Sequence, residues 1–383
     1  MEAKRVSAVK NKEIYFPQLD IVRFIAALMI IILHSYETWC GWFGELPFFS
    51  IGKDKGVKII GKYVENFIEN FRLGVDIFFL ISGFLITYLL LKEKGETGTI
   101  SIKKFFGRRI LRIWPLYYLL IALSPLMIYW LGLPSPDYTS TVLFINNFHT
   151  ISTHAWTFPF DHFWSICIEE HFYLIWPFII LWVPRKKLLP VLYSLLAFSI
   201  TYRIWIIFTV PNPQLILYLN TFCRMDVLIM GAVIAYYYYK TPFTINTPGI
   251  VRLLIYCILI LALCIDLHFN NPLFEEMKRY IYIGLITFTF LNYNFNPDAR
   301  LKFKNNKLIH YLGKISYGLY MYSNIILIIT IKKFILPFNF VNIYLYIILM
   351  IGLPIIISTI SYELFERPFL KIKRHLETIK TIS

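Results

Sequence analysis

The sequence predicts an all-α, polytopic integral membrane protein of about ten transmembrane helices, and three observations carry that prediction. Of the 383 residues, 57% are hydrophobic and 16% charged, whereas a soluble domain carries about 25% charged residues. Apolar runs close to the roughly 20 residues that cross a bilayer recur from Leu19 to Tyr362. These runs lack the strict alternation of barrel strands, and lipid admits only helices and closed barrels as spanning structures. The same composition excludes a disordered chain, a disulfide-stapled secreted domain and an ordinary cytosolic enzyme.

Ten spans follow at roughly 19–35, 71–91, 113–132, 164–183, 188–210, 217–239, 250–268, 280–295, 315–336 and 342–362, the eighth being the shortest. No internal repeat or Gly/Ser-rich linker divides them. The expected organisation is a cytoplasmic N-terminal tail at 1–18, one transmembrane domain at 19–366 and a basic cytoplasmic C-terminal tail at 367–383. The first twenty residues are polar for too long to be a cleaved signal peptide. With the N-terminus inside, 26 of the 38 Lys and Arg fall in inner segments and 9 in outer ones, while Arg23, Arg203 and Arg224 lie within spans. Only that orientation satisfies the positive-inside rule, and an even number of spans then places both termini in the cytoplasm. The net charge of +15 is thus a topology signal, and no nucleic-acid partner is expected. The five cysteines show no ligand spacing, and neither a metal site nor a disulfide framework is expected.

Ionisable groups inside a span cost a few kcal/mol each on insertion scales, which makes them functional candidates. The first span holds Asp20, Arg23 and His34. Eleven residues separate Arg23 from His34, about 20° beyond three full turns, so both share one face about 16 Å apart. Asp20 is within ion-pairing reach of Arg23. His34 falls at the outer end, and histidine titrates near neutral pH, as proton abstraction from a hydroxyl requires. The alternative is that Arg23 and Asp20 lock helices together. Asp76 adds a charge near the start of the second span. The segment 92–112 then carries seven basic residues, with Arg108 and Arg112 on one helical face beside Arg109. Guanidinium forks match phosphate oxygens, while anionic lipid would attract the same residues.

The loop 133–163 contains no Lys or Arg but has His149, His154 and His162 among Trp156, Phe158 and Phe160. Its spacing fits no metal-ligand pattern, and its aromatics could stack on sugar rings. The fourth span opens with Glu169 and Glu170, expected in the outer half of the membrane. Adjacent carboxylates project about 100° apart and are expected to do different jobs. One could pair with an arginine and the other hold a substrate or a proton. In the later spans Arg203, Arg224, Asp226 and Glu363 add charges, of which Arg224 and Asp226 are expected to satisfy partners on neighbouring helices.

Taken in order, these segments resemble the membrane-bound acyltransferase family 3, which O-acetylates surface glycans and other hydroxyl acceptors. LDIVRFIAALMIIILH (Leu19–His34) is similar to its first helix, with arginine, ten residues and histidine. GVDIFFLISGFLI (Gly74–Ile86), RRILRIWPLYY (Arg108–Tyr118), FWSICIEEHFYLIWP (Phe163–Pro177), RMDVLIMGAVIA (Arg224–Ala235), LGKISYGLYMYS (Leu312–Ser323) and SYELFERPFL (Ser361–Leu370) resemble its later motifs. His171 stands where glutamine is common, and Ser323 where many members have histidine. Some members carry a C-terminal extracytoplasmic esterase-like domain, which is not expected in this chain.

The resemblance implies acetyl-CoA as donor and a glycan or lipid-linked sugar hydroxyl as acceptor on the outer side. It also implies a multi-pass protein of a cell membrane, a bacterial cytoplasmic membrane being the expected location, with membrane lipids as its surroundings. Arg23 and His34 match the catalytic pair, and Arg108, Arg109 and Arg112 would hold the CoA phosphates. Glu169 or Glu170 would orient His34 or the acceptor. The alternatives are a secondary transporter of a glycan or lipid, or an acyltransferase that uses another donor such as succinyl-CoA.

A reporter fused after Ser383 is expected to read cytoplasmic, and one inserted near Asp137 external. An external C-terminus would mean an odd number of spans and would move His34 to the other side.

Overall fold

A computed structural model describes residues 16–43, 55–156, 158–265, 271–297, 306–335 and 343–379. Most of the expected N-terminal tail at 1–18, and residues 380–383 of the C-terminal one, lie outside the described residues. The described residues form helices α1 (Pro17–Phe43), α2 (Lys55–Glu69), α3 (Leu73–Thr97), α4 (Ile102–Leu131), α5 (Tyr138–Val142), α6 (Asn146–Thr153), α7 (Trp164–Trp182) and α8 (Arg185–Thr209). They continue as α9 (Gln214–Leu219), α10 (Thr221–Lys240), α11 (Gly249–Ile265), α12 (Pro272–Phe295), α13 (Lys307–Lys314), α14 (Ser316–Thr330), α15 (Ile343–Ser361) and α16 (Arg367–His375). No strand occurs among the described residues. Within the described residues all ten expected spans fall on helices, and eight helical stretches there are long and apolar enough to cross a membrane. The other two are α11, with 17 residues, and α12, whose first two turns carry Glu275, Glu276, Lys278 and Arg279.

Local chemistry sets the helix ends. Gly98 and Gly132 stop α3 and α4 in the left-handed region, at φ 80° and 62°, where a Cβ is penalised. Ser101 caps α4 by accepting from the Lys104 amide, and Asn220 caps α10 by accepting from the Phe222 amide. Lys94 donates to the Ile180 and Leu181 carbonyls of α7 and to that of Val183, its C-cap, at 2.7, 2.9 and 3.1 Å. A cation at a helix C-terminus satisfies orphan carbonyls and complements the dipole.

The spans alternate in direction. At one end the segments expected to be basic come together: α3 meets α7 through Lys94, Arg108 reaches the Leu376 carbonyl at 2.9 Å, and His310 meets Asp20 at 2.5 Å. At the opposite end Tyr346 donates to the Ser35 carbonyl at 2.9 Å and Asn66 to the Cys264 carbonyl at 3.0 Å. Large apolar side chains such as Leu126, Trp182, Phe208 and Leu364 face outward while Arg203, Arg224 and Asp226 are buried. Apolar outside with charge inside is the arrangement that hydrocarbon imposes.

The α3–α10 contact is the most extensive helix pair, and glycine makes it possible. A Cβ at Gly83 would run into the Leu228 carbonyl, and one at Gly231 into the Leu80 carbonyl. Small residues let two membrane helices approach backbone to backbone. Gly83→Ala is therefore expected to lower stability by about 1–3 kcal/mol through overpacking, read as an earlier thermal unfolding of the purified protein in detergent. Unchanged unfolding would mean that the crossing has slack.

Candidate active site

Helix α1 carries Arg23 and His34 into two different cavities. Near its start, Asp20 is held between Arg23, 3.4 Å away, and His310 of α13. Gly313 packs directly on the Asp20 backbone, so α13 fixes the start of α1 and with it the height of Arg23.

The first cavity, about 200 Å³, lies at the basic end and is lined by Asp20, Arg23, Arg108, Arg109, Arg112 and Glu169, among others. The arginines are not equivalent. Arg108 donates to Glu93 at 3.1 Å and to the Leu376 carbonyl at 2.9 Å. Glu93 is itself buried, so Arg108 is largely engaged within the protein. The Arg109 guanidinium lies 5.8 Å from the Tyr173 ring centroid, and its Nε is buried without a hydrogen-bond partner among the described residues. Arg112 makes no hydrogen bond or ion pair among the described residues. Arg109 and Arg112 are thus the donors free to meet an incoming anion.

Glu169 accepts from Tyr173 at 2.6 Å and from Ser82 at 3.1 Å. Glu170 points elsewhere and accepts from the Trp114 indole at 3.2 Å. The two carboxylates do face different partners, as their 100° offset requires. Hydroxyl and indole donors hold them, and neither is ion-paired among the described residues. Glu169 lines the arginine cavity and not the His34 cavity, because the rotation of α7 turns it toward α3 and α4.

The second cavity, about 960 Å³, opens at the opposite end and is lined by His34, Glu37, Arg72, Asp161, His162 and Trp164, with Trp156 and Tyr218 adding aromatic faces. The Nδ1 of His34 is buried without a partner among the described residues. Asp161 accepts from Asn324 at 2.7 Å, and the buried His162 ring faces the Met321 carbonyl at 3.2 Å. Ser165 and Tyr320 line the first cavity, whereas His162 and Trp164 line the second. Tyr320 donates to the His162 carbonyl at 2.6 Å and lies 2.7 Å from Ser165 Oγ. This small group of residues therefore separates the two cavities.

One wall of the second cavity is a charge network. Arg279 pairs with Asp76 at 3.0 Å and Asp226 at 2.8 Å. Arg224 pairs with Asp76 at 3.2 Å. Arg203 pairs with Asp226 at 3.4 Å and Glu276 at 2.5 Å. Three arginines thus face three carboxylates across α3, α8, α10 and α12, and Arg224 also faces the rings of Phe79, Trp164 and Tyr218. Arg224 and Asp226 do find partners on neighbouring helices, as expected. Arg279 and Glu276, which complete the network, read in the sequence as loop charges.

The histidines of 133–163 are not gathered: His149 pairs with Asp137 at 3.2 Å while His162 faces α14. No group of three potential metal ligands occurs among the described residues. His171 bonds Thr221 at 2.8 Å and stacks on Phe148. Ser323 turns back to the Tyr320 carbonyl at 2.9 Å, and its neighbour Asn324 is the residue that reaches Asp161.

A family model described as an acyltransferase domain matches residues 16–359. A protein of Staphylococcus aureus strain COL, named provisionally as an O-acetyltransferase, is 26% identical over 381 residues, covering 93% of this chain and 58% of its own length. The O-acetyltransferase OatA of Staphylococcus aureus strain NCTC 8325 is 27% identical over 383 residues, covering 93% of this chain and 57% of its own. The chain thus spans under two thirds of the length of these relatives. No solved structure matches.

Replacing Arg279 with Gln leaves three carboxylates, two of them buried, facing two arginines. Breaking a buried pair typically costs about 3–5 kcal/mol. Thermal unfolding in detergent is expected to show that loss for Arg279→Gln. The double variant Arg279→Gln/Asp226→Asn, which restores the balance, should lose less than the sum of its parts. Strict additivity would mean the network is not coupled.

Proposed function

The chain belongs to acyltransferase family 3, and on that premise we propose that it is an integral-membrane O-acyltransferase that moves acetyl from acetyl-CoA to a hydroxyl of a polysaccharide or lipid-linked sugar. The observation that carries this reading is the division of labour along α1, which presents Arg23 to an arginine cavity at the basic end and His34 to a wider cavity at the other. A phosphate-rich donor fits the first, since guanidinium groups bind phosphate oxygens through charge-assisted bonds. A sugar fits the second, where Trp156, Trp164 and Tyr218 offer ring faces. The 26-to-9 division of basic residues supports placing the arginine cavity on the cytoplasmic side, where acetyl-CoA is made.

In the proposed reaction, Arg109 and Arg112 hold CoA phosphates, with Arg108 bracing the loop against Glu93. The flexible arm of CoA then carries the thioester past Arg23 toward the partition at Ser165 and Tyr320. Arg23 and Glu169, the latter fixed by Ser82 and Tyr173, flank the donor arm. The acceptor hydroxyl attacks the thioester carbonyl carbon as His34 removes its proton. The carbon–sulfur bond breaks, the new ester forms, and the proton returns to the leaving thiolate to give free CoA. His34 suits this because its Nδ1 has no competing partner among the described residues and a neutral imidazole nitrogen can accept a proton.

His34→Ala is expected to retain CoA binding and lose transfer by about 10²–10⁴-fold, the usual contribution of a general base. Arg109→Gln/Arg112→Gln is expected to weaken CoA binding by at least about tenfold, each charge-assisted contact being worth roughly 1.5–3 kcal/mol. Purified protein in nanodiscs, assayed for CoA affinity and for acetyl transfer, separates the two. Wild-type transfer by well-folded His34→Ala protein would end the catalytic assignment.

A further inference from the structure

The arginine cavity is completed by the segment that follows the last span. Lys373 of α16, Glu377 and Ile379 line it beside Arg23, Arg109 and Arg112. Three contacts fasten the segment there. Arg108 donates to the Leu376 carbonyl at 2.9 Å, Thr378 Oγ1 donates to Glu93 at 3.3 Å, and the Leu376 side chain rests on Gly107, where a Cβ would come within 2.7 Å of it. The segment is thus pinned by the same Arg108–Glu93 pair that braces the basic loop.

Lys373 is 6% exposed, and its charge acts on those of Arg112, Arg109 and Arg23. Its ion-pair partner is Glu377, 3.9 Å away and equally buried. An ammonium buried beside guanidinium groups, with one carboxylate at that distance, is poorly compensated. A bound phosphate would supply the missing negative charge, and Lys373 lines the cavity beside Arg109 and Arg112. Glu377 holds a carboxylate next to the same ammonium.

We propose that Lys373 is a phosphate-binding residue of the donor site and that Glu377 occupies this position as an internal carboxylate, which the donor phosphate displaces. This rests on the reading of the cavity as a coenzyme A site. The chemistry is that of a phosphate ester, which an anionic lipid headgroup also carries, so the test separates the two.

CoA affinity is measured for the full-length protein in nanodiscs of zwitterionic lipid and again with anionic lipid added, thermal unfolding reporting the folding of each variant. Lys373→Gln should weaken CoA binding by about tenfold, the loss of one charge-assisted contact, and Lys373→Arg should recover most of it. Glu377→Gln should tighten CoA binding several-fold, a gain that damage to the fold would not produce. If Arg109→Gln/Arg112→Gln weakens CoA binding while Lys373→Gln and Glu377→Gln leave it unchanged, the donor site stands and this inference falls. If wild-type protein binds no CoA, both fall. If the Lys373 and Glu377 variants alter only the competition by anionic lipid, the site belongs to a headgroup and the inference is overturned.

Discussion

A charge surrounded by hydrocarbon has to find its counter-charge within the same protein, and much of this architecture follows from where those counter-charges are. Arg203, Arg224 and Arg279 meet Asp76, Asp226 and Glu276 across four helices. Placing these groups beside one another fixes α3, α8, α10 and α12 in height and rotation together. The glycine crossing of α3 on α10 allows the approach that the ion pairs need. Once α3 is set, its two ends serve different places: Asp76 faces the wide cavity, while Ser82 and Glu93 face the arginine cavity.

Helix α1 is the second rigid element. It is anchored at one end by Asp20 on α13 and at the other by the Ser35 carbonyl on Tyr346. Eleven residues of unbroken helix fix the distance between Arg23 and His34, so neither side chain can be moved toward the other without moving the bundle. A donor and an acceptor bound in separate cavities would meet only across the Ser165–Tyr320 partition. That geometry suits transfer of a small acyl group on a long arm and gives the charged part of the donor no reason to leave the basic end.

Much of this was legible in the sequence because it follows from composition. The spans show as apolar runs, and the basic segments gather at one end of the bundle as their alternation requires. Arg224 and Asp226 announce themselves by being charged inside a span. Other features depend on how helices turn against one another, which no run of residues reveals. Arg279 sits at the polar start of α12 and reads as a loop charge, although it is the centre of the network. Glu169 and Glu170 are adjacent, and only the rotation of α7 assigns one to the arginine cavity and the other to Trp114. Arg108 looks equivalent to Arg109 and Arg112 until the turn at Gly98 brings Glu93 back beside it. Lys373 is one of several basic residues in what reads as a topology signal, and its burial is a tertiary fact.

The central claim is that donor and acceptor are served from opposite ends of one helix. It is tested most directly with membrane vesicles of known sidedness from cells producing the protein, supplied externally with radiolabelled acetyl-CoA. Vesicles that expose the basic end should incorporate label into hydroxyl-bearing material on the enclosed face, and vesicles that expose the His34 end should not. Incorporation only by vesicles exposing the His34 end, or onto material on the same face as the donor, would contradict the account.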